Sequence, residues 1–417
     1  MATYTASTQP ETIPHNYIVV FKKDTPHDKC DAHCAWAAEM HSQKVYTADD
    51  QAKYCGLQHQ YKLPCGWAGY AGSFDQALIE ELEATDEVDY VEPDVKVFAS
   101  QIVTAAAGSW GQARISQRSK LTATTKGTFY YDDTAGEGAT VYIVDTGILA
   151  SHDEFENRAT FGHNAVPGSA DTDMNGHGTH CAGTIGGKTY GVAKKATLVG
   201  IKVLGDDGSG SISSVISGLN WAAEDAQSKG ALKKSVASMS LGGGYSKAMN
   251  SAVKAIVQAG MTVCVAAGNE SRDAATSSPA SEPTAVTVGA TAIDDSMSSF
   301  SNYGKLVDVF APGSMITSAW IDKSGGGSTS SINTISGTSM ATPHISGLSA
   351  YLIALEKLEG SAQVTQRIKQ LATSGQLTGL KGDSANLLSY NGAQDAASKK
   401  AQADAEKLLV DGEKLRQ

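Results

Sequence analysis

Ser339 stands in the run Gly337-Thr338-Ser339-Met340-Ala341-Thr342-Pro343-His344, a small turn that leads into a long apolar helical pattern. A serine at a helix N-terminus faces backbone N–H groups with no intrahelical partner, at the positive end of the dipole. Such groups can hold negative charge developing on a reacting oxygen; the plainer role is an N-cap. Pro343 is expected in the first helical turn, where its missing N–H has no partner to lose. Two further segments bear on the choice. Val141-Tyr142-Ile143-Val144 ends in Asp145, then Thr146-Gly147, and reads as a buried strand with a carboxylate at its C-terminal end. In open α/β sheets that edge is where sites form. Asn175-Gly176-His177-Gly178-Thr179-His180-Cys181-Ala182-Gly183 sets His177 between glycines at the start of a small-residue helix. A serine nucleophile needs a base, and the base needs a carboxylate to orient it. Asp145, His177 and Ser339 supply all three.

The elements that must position them follow from the same patterning. Apolar strand runs at Val141–Val144, Thr197–Val203, Ser235–Ser240 and Met261–Ala266 alternate with helical stretches near Ser213–Lys229, Lys247–Gln258 and Ser339–Leu358. That alternation predicts an α/β fold, a doubly wound, mostly parallel sheet with helices on both faces. Upstream, residues 1–16 read as a flexible leader. Tyr17–Phe21 reads as a strand, Asp28 to about Gln43 as a helix and Gly66–Phe74 as a strand. Gln76–Ala84 reads as a helix capped by Asp75, and Val88–Val97 as an extended close. This order suits a small β-α-β-β-α-β sandwich. Ser100–Ser109, rich in Ala and Thr, reads as a linker, and 393–417 as a charged tail, a solvated helix or frayed extension with no assigned role.

Composition narrows the function. A net charge of −11 argues against nucleic-acid binding. Residues 1–102 hold 7 basic and 16 acidic side chains, and the rest holds 26 and 28, so the two parts differ in character. No run of 18 apolar residues offers a membrane span, and the start, Met1-Ala2-Thr3-Tyr4-Thr5, does not read as a signal peptide.

Asp145-Thr146-Gly147, His177-Gly178-Thr179-His180 and Gly337-Thr338-Ser339-Met340-Ala341 resemble, in this order, the active-site motifs of the subtilisin-like serine peptidases. Tyr190–Lys195, Ser240–Tyr245, Ala266–Asn269 and Ser299–Gly304 are similar to the proteinase K branch, and the likeness runs from about Trp110 to Asn391. Residues 17–102, with Tyr90-Val91-Glu92-Pro93-Asp94, resemble the ferredoxin-like inhibitory propeptide of that family. The resemblance implies a three-layer catalytic domain over 103–392, self-cleavage near Ile102–Val103, and hydrolysis of polypeptides through an acyl-enzyme. It implies Asn269 and the Ser339 N–H as the oxyanion hole. Gly208, Ser209, Gly210, Ser240, Leu241, Gly242 and Gly243 would form the two sides of a substrate cleft. Main-chain pairing there implies broad specificity. Ala266, Ala267 and Gly268 would share a first pocket for large apolar or aromatic side chains.

The resemblance further implies no cofactor for catalysis, a structural calcium held by the Pro283 and Ala285 carbonyls with Asp308, a monomer, and a secreted or vacuolar setting. A second family calcium site is not expected, because Gln376 and Arg118 stand at its ligand positions. Cys181 and Cys264 read as buried thiols. Cys30 and Cys34, four apart on a helix, are too far apart to bridge each other. They pair elsewhere or stay reduced, and a Cys/His zinc site with His33 or His59 is an alternative.

Rival chemistries fit less well. An aspartic protease needs a second Asp-Thr-Gly or Asp-Ser-Gly, which the chain lacks. A Gly-x-Ser-x-Gly elbow is broken by Ala341, and no His-Glu-x-x-His occurs. Asn269-Glu270-Ser271 fits a glycosylation sequon, but a glycan would block the oxyanion pocket. The non-enzyme alternative is a latent binding module, its cleft permanently capped by residues 1–102.

Overall fold

Tyr17-Ile18-Val19-Val20-Phe21 carries the β-branched and aromatic surface that suits a pleated, half-buried strand. The strand runs further than that, over Thr12–Phe21 (β1), so the expected leader is ordered from Thr12, which pairs with Val95. The computed structural model describes residues 12–47, 50, 53–62, 67–95, 102–322 and 329–395. They fall in two units, Met1–Ala99 and Ser100–Gln417.

In the first unit, β1 is followed by α1 (His27–Gln43), β2 (Gly56–Lys62), β3 (Ala68–Ser73), α2 (Gln76–Glu83) and β4 (Val88–Val95). The sheet order β2-β3-β1-β4 is antiparallel throughout. Val19, Phe21 and Tyr70 point to one face, where Cys30, Cys34 and Ala37 of α1 and Leu78 and Leu82 of α2 cover them. Asp75 caps α2 by accepting the Leu78 N–H at 2.9 Å. Cys30 and Cys34 are buried free thiols. His33 bonds the Tyr70 hydroxyl at 3.1 Å, which leaves the zinc alternative without a cluster among the described residues. Cys65 lies outside them.

The second unit opens with β5 (Ile102–Ala106), which pairs along its length with β6 (Thr128–Asp132); α3 (Trp110–Ile115) lies between them. The expected linker is therefore a strand from Ile102 onward. Its only signal was the β-branched run Ile102-Val103-Thr104, lost in the Ala and Thr bias around it. The chain continues through β7 (Thr140–Asp145), β8 (Ala159–Asn164), α4 (His177–Gly186), β9 (Thr197–Lys202), α5 (Ile212–Ser228), β10 (Ser235–Met239), α6 (Lys247–Ala259) and β11 (Thr262–Ala266). It ends with β12 (Val286–Thr291), β13 (Val309–Pro312), a hairpin of β14 (Ile316–Ala319) and β15 (Ile332–Ile335), α7 (Thr338–Glu356), α8 (Ser361–Leu371), β16 (Thr373–Ser374) and β17 (Leu387–Leu388).

Nine strands form one sheet in the order β16-β17-β13-β12-β11-β10-β7-β9-β8, parallel except at the β16 edge. Alternation along β7 splits the core in two. Val141 and Ile143 face α4, α7 and α8; Tyr142 and Val144 face α5 and α6. The α7 helix is buried on nearly every side, as an apolar helix on a sheet must be. From β7 the chain winds first to β8 and β9 on one side, then returns to β10 on the other. That reversal opens a crevice at the carboxyl ends of β7 and β10.

Pro343 is the sixth residue of α7, not part of its first turn. A proline there removes the bond to the carbonyl four residues back, which is that of Ser339. The Cys181 thiol of α4 donates to that carbonyl instead, at 3.5 Å. The charged tail begins ordered: Ala393 is buried and Asp395 takes the Arg118 guanidinium at 2.8 Å. The remainder of the tail lies outside the described residues.

Candidate active site

Asp145 is the last residue of β7 and is fully buried. Its Oδ1 accepts the Thr146 N–H at 2.8 Å and the His177 Nδ1–H at 2.7 Å. An ionised carboxylate only accepts, so the bond puts the imidazole proton on Nδ1 and leaves Nε2 as a free base. The His177 side chain stays 24% exposed, open to a substrate. Burial pulls the imidazole toward its neutral form. The charge and hydrogen bond of Asp145, with Asp173 behind them, outweigh that pull and hold its pKa above the ordinary 6.5.

Why His177 sits there is a matter of backbone fit. Gly176 caps α4 with a φ of +106°, and a side chain on it would run into the Trp320 ring. Gly178 donates its N–H to Thr146 Oγ1 at 2.9 Å, and a Cβ there would overlap the Gly147 carbonyl oxygen. The first turn of α4 thus lies directly on the turn that follows Asp145.

Ser339 occupies the second position of α7, after Gly337 as N-cap. Its hydroxyl donates to the Ser240 carbonyl oxygen at 3.1 Å, just past the end of β10. Cys181, one turn beyond His177, joins the third segment to the other two. Its sulfur, a His177 ring nitrogen and an Asp145 carboxylate oxygen lie within 4.8 Å of one another, and the same thiol bonds the Ser339 carbonyl. Burial raises the Cys181 thiol pKa well above its usual range, so it acts as a neutral donor. His180 packs as a core residue, its Nε2 on the Ile316 carbonyl at 3.1 Å; burial lowers its pKa to about 4.

Asn269 follows β11. Its side-chain oxygen accepts both the N–H of Thr338, at 2.8 Å, and the hydroxyl of Thr338, at 2.9 Å. Two donors on one atom identify it as the oxygen, so the NH₂ group is the one left facing the cleft. A crevice of about 470 Å³ is lined by His177, by Gly208-Ser209-Gly210 and by Ser240-Leu241-Gly242-Gly243. A smaller one of about 80 Å³ continues from Leu241–Gly243 past Ala266-Ala267-Gly268 and Asn269 to Ser339. Every substrate-side residue expected from the sequence lines one of the two.

The chain matches two family models: the subtilase family over residues 136–395, and peptidase inhibitor I9 over residues 16–100. Alkaline protease 1 of Emericella nidulans is 48% identical across 92% of this chain and 93% of its own length. The chain belongs to the subtilase family. A cuticle-degrading protease of Metarhizium anisopliae is 51% identical across 78% of this chain and 81% of its own. The crystal structure of a cold-adapted subtilisin-like serine proteinase, 45% identical, covers 68% of this chain and 97% of its own, with a TM-score of 0.62. This subtilase is thus a subtilisin-like serine endopeptidase with an N-terminal propeptide of the inhibitor type.

Sequence reasoning missed two buried charges behind the site. Asp173 Oδ1 accepts from the Thr146 hydroxyl and the Asn175 and Gly176 N–H groups, and its Oδ2 from the N–H and hydroxyl of Thr179, all between 2.6 and 3.0 Å. It stitches the turn after Asp145 to the start of α4. Its signal was its place four residues before His177, in a segment that otherwise reads as an acidic loop. Lys202, opposite Asp145 in the β7–β9 register and fully buried, donates to the Thr146 carbonyl at 2.9 Å and to Asp206 at 2.8 Å. Glu270, which lines the smaller crevice, was also passed over.

The expected calcium position departs from expectation. Asp308 Oδ2 accepts the Thr287 N–H at 2.8 Å, and Oδ1 takes the Lys369 ammonium at 2.6 Å. With both oxygens engaged and a cation already on one, the donor set of Pro283, Ala285 and Asp308 does not fit a calcium ion as it stands. At the position of the second family site, Arg118 bonds the Leu371 carbonyl at 2.8 Å, a cation where a metal ligand would be needed.

Proposed function

We propose that this subtilase cuts polypeptides, its own chain first, with Ser339 as nucleophile. Ser339 Oγ leaves the Ser240 carbonyl and attacks the scissile carbonyl carbon, while its proton passes to His177 Nε2. Asp145 holds the tautomer and balances the imidazolium charge. The tetrahedral oxyanion takes hydrogen bonds from Asn269 Nδ2 and the Ser339 N–H. Collapse expels the amine with the proton from His177, and water then releases the acyl group by the same base. The observation that carries this reading is the 2.7 Å Asp145–His177 bond at a crevice whose Leu241–Gly243 wall is shared with the smaller crevice that Asn269 and Ser339 line.

The cleft supports broad specificity. Its lining near Ser339 is mostly small, glycine, alanine and serine, with Leu241 and Glu270 among them; this leaves main chain to pair with an extended substrate and room for a large apolar or aromatic side chain. Residues 17–102 serve as the intramolecular inhibitor, and release by a cut near Ile102–Val103 frees a monomeric catalytic domain over 103–392. A secreted or vacuolar setting is part of this reading, in keeping with a relative called a cuticle-degrading protease. Calcium at Pro283, Ala285 and Asp308 is not, since Lys369 holds that carboxylate.

Incubation of the purified chain tests the proposal on a gel. The band should shorten by the first ~100 residues. Ser339→Ala or His177→Ala should abolish the change, with rates on peptide substrates down about 10⁶-fold, a scale set by a subtilisin itself. Processing that proceeds in Ser339→Ala at the parental rate would refute the assignment.

A further inference from the structure

The carboxylate at the family's calcium position already has a cation, and we propose that Lys369 replaces the ion there. Asp308 is tied to the sheet from both sides of its own residue: its N–H donates to the Thr287 carbonyl at 2.9 Å, and its Oδ2 accepts the Thr287 N–H at 2.8 Å. The side chain is only 16% exposed, so its charge is largely withdrawn from water. A carboxylate in that position needs a compensating positive charge. The charge comes from α8, whose Val364, Ile368 and Leu371 are buried against the core. That docking sets the neighbouring Lys369, in the last turn of the helix, with its ammonium 2.6 Å from Asp308 Oδ1. The negative end of the helix dipole favours a cation at the same place.

Chemistry decides between the two cations. Calcium takes six to eight oxygens at about 2.3–2.6 Å, so an ion on Oδ1 would fill the space the ammonium holds. Two cations on one carboxylate leave net positive charge, which a single acid does not offset. Glu282, beside Pro283, is turned to its own loop, where its Oε1 accepts the N–H and hydroxyl of Thr284 at 3.1 and 2.8 Å. One lysine–carboxylate pair therefore does the work of an ion and also fastens α8 to the sheet. The half-exposed lysine stem, 44% accessible, can move aside when the ammonium is removed, which opens the position to a metal.

Thermal melting of the full chain tests this, in the Ser339→Ala background so that self-digestion does not intervene. Melting is followed in chelator and in millimolar calcium for three proteins: the background, Lys369→Met, and the neutral pair Asp308→Asn/Lys369→Met. The readout is the calcium-induced rise in Tm in excess of that of the double variant. Lys369→Met should melt several degrees lower in chelator and show a clear excess on adding calcium; the background should show none. A background excess as large as that of Lys369→Met would overturn the proposal, because calcium would then bind despite the lysine. No excess in Lys369→Met would overturn it as well, since the position would not be a cation site.

Discussion

At the scale of single residues, the account turns on which proton His177 carries. Catalysis needs Nε2 free, and the Asp145 bond raises the pKa above the ordinary 6.5, so the base form is gained only on the alkaline side. The kcat/KM of the processed enzyme against pH should therefore rise with a midpoint above 6.5. In Asp145→Asn the midpoint should move down while the rate falls about 10⁴-fold. A midpoint that ignores this substitution would count against Asp145 as the source of the shift. Stability runs the other way. A raised folded pKa contributes stability that is complete below about 6.5 and lost as pH climbs through the folded value. The three residues proposed to react stood out in the sequence because each sits in a short motif of small residues with a fixed neighbourhood. Asp173, Lys202 and the Asp308–Lys369 pair did not. Their meaning lies in partners brought close by folding, and the one local sign, Asp173 standing four residues before His177, is lost in a segment that reads as an acidic loop.

At the scale of elements, the site depends on how closely α4 lies against the end of β7. Gly178 is where the backbones meet. Gly178→Ala should push the first turn of α4 off the Thr146–Gly147 turn and lengthen the Asp145–His177 bond. A displacement of about 1 Å in such a group costs on the order of 10²-fold in rate. Kinetics paired with far-UV circular dichroism should show that loss with helix and strand content intact; parental activity would contradict the packing argument. The four strands and three helices the sequence marks out in the catalytic unit fall within a residue or two of the observed ones, for instance Ile212–Ser228 against an expected Ser213–Lys229, while the short strands β12–β17 and the helix α8 were not marked. Period 2 and period 3.6 leave strong signals in long elements. β5 was missed for the converse reason: a five-residue strand of Ile, Val, Thr and Ala has too little pattern to stand out from a linker. Pro343 was misplaced because its missing hydrogen bond is made good by Cys181, on a different helix.

At the scale of the whole molecule, one buried ion pair links the start of the catalytic unit to its far turn. Arg114 of α3 meets Asp295, after β12, through two bonds of 2.7 and 3.2 Å, with side chains 0% and 3% exposed. Asp295→Ala strands a guanidinium out of water and should destabilise the unit by about 3–5 kcal/mol. Urea unfolding of the Ser339→Ala background checks this, and a loss under about 1 kcal/mol would mean the arginine finds water on its own. The doubly wound layout was legible from the alternation of elements; the 181-residue reach of this pair was not. The most direct test of the central claim is covalent. A fluorophosphonate probe on the incubated chain, followed by peptide mass mapping, should place a single adduct on Ser339 and lose it in His177→Ala. An adduct on another residue, or labelling of Ser339 that persists without His177, would contradict the relay of carboxylate, imidazole and hydroxyl.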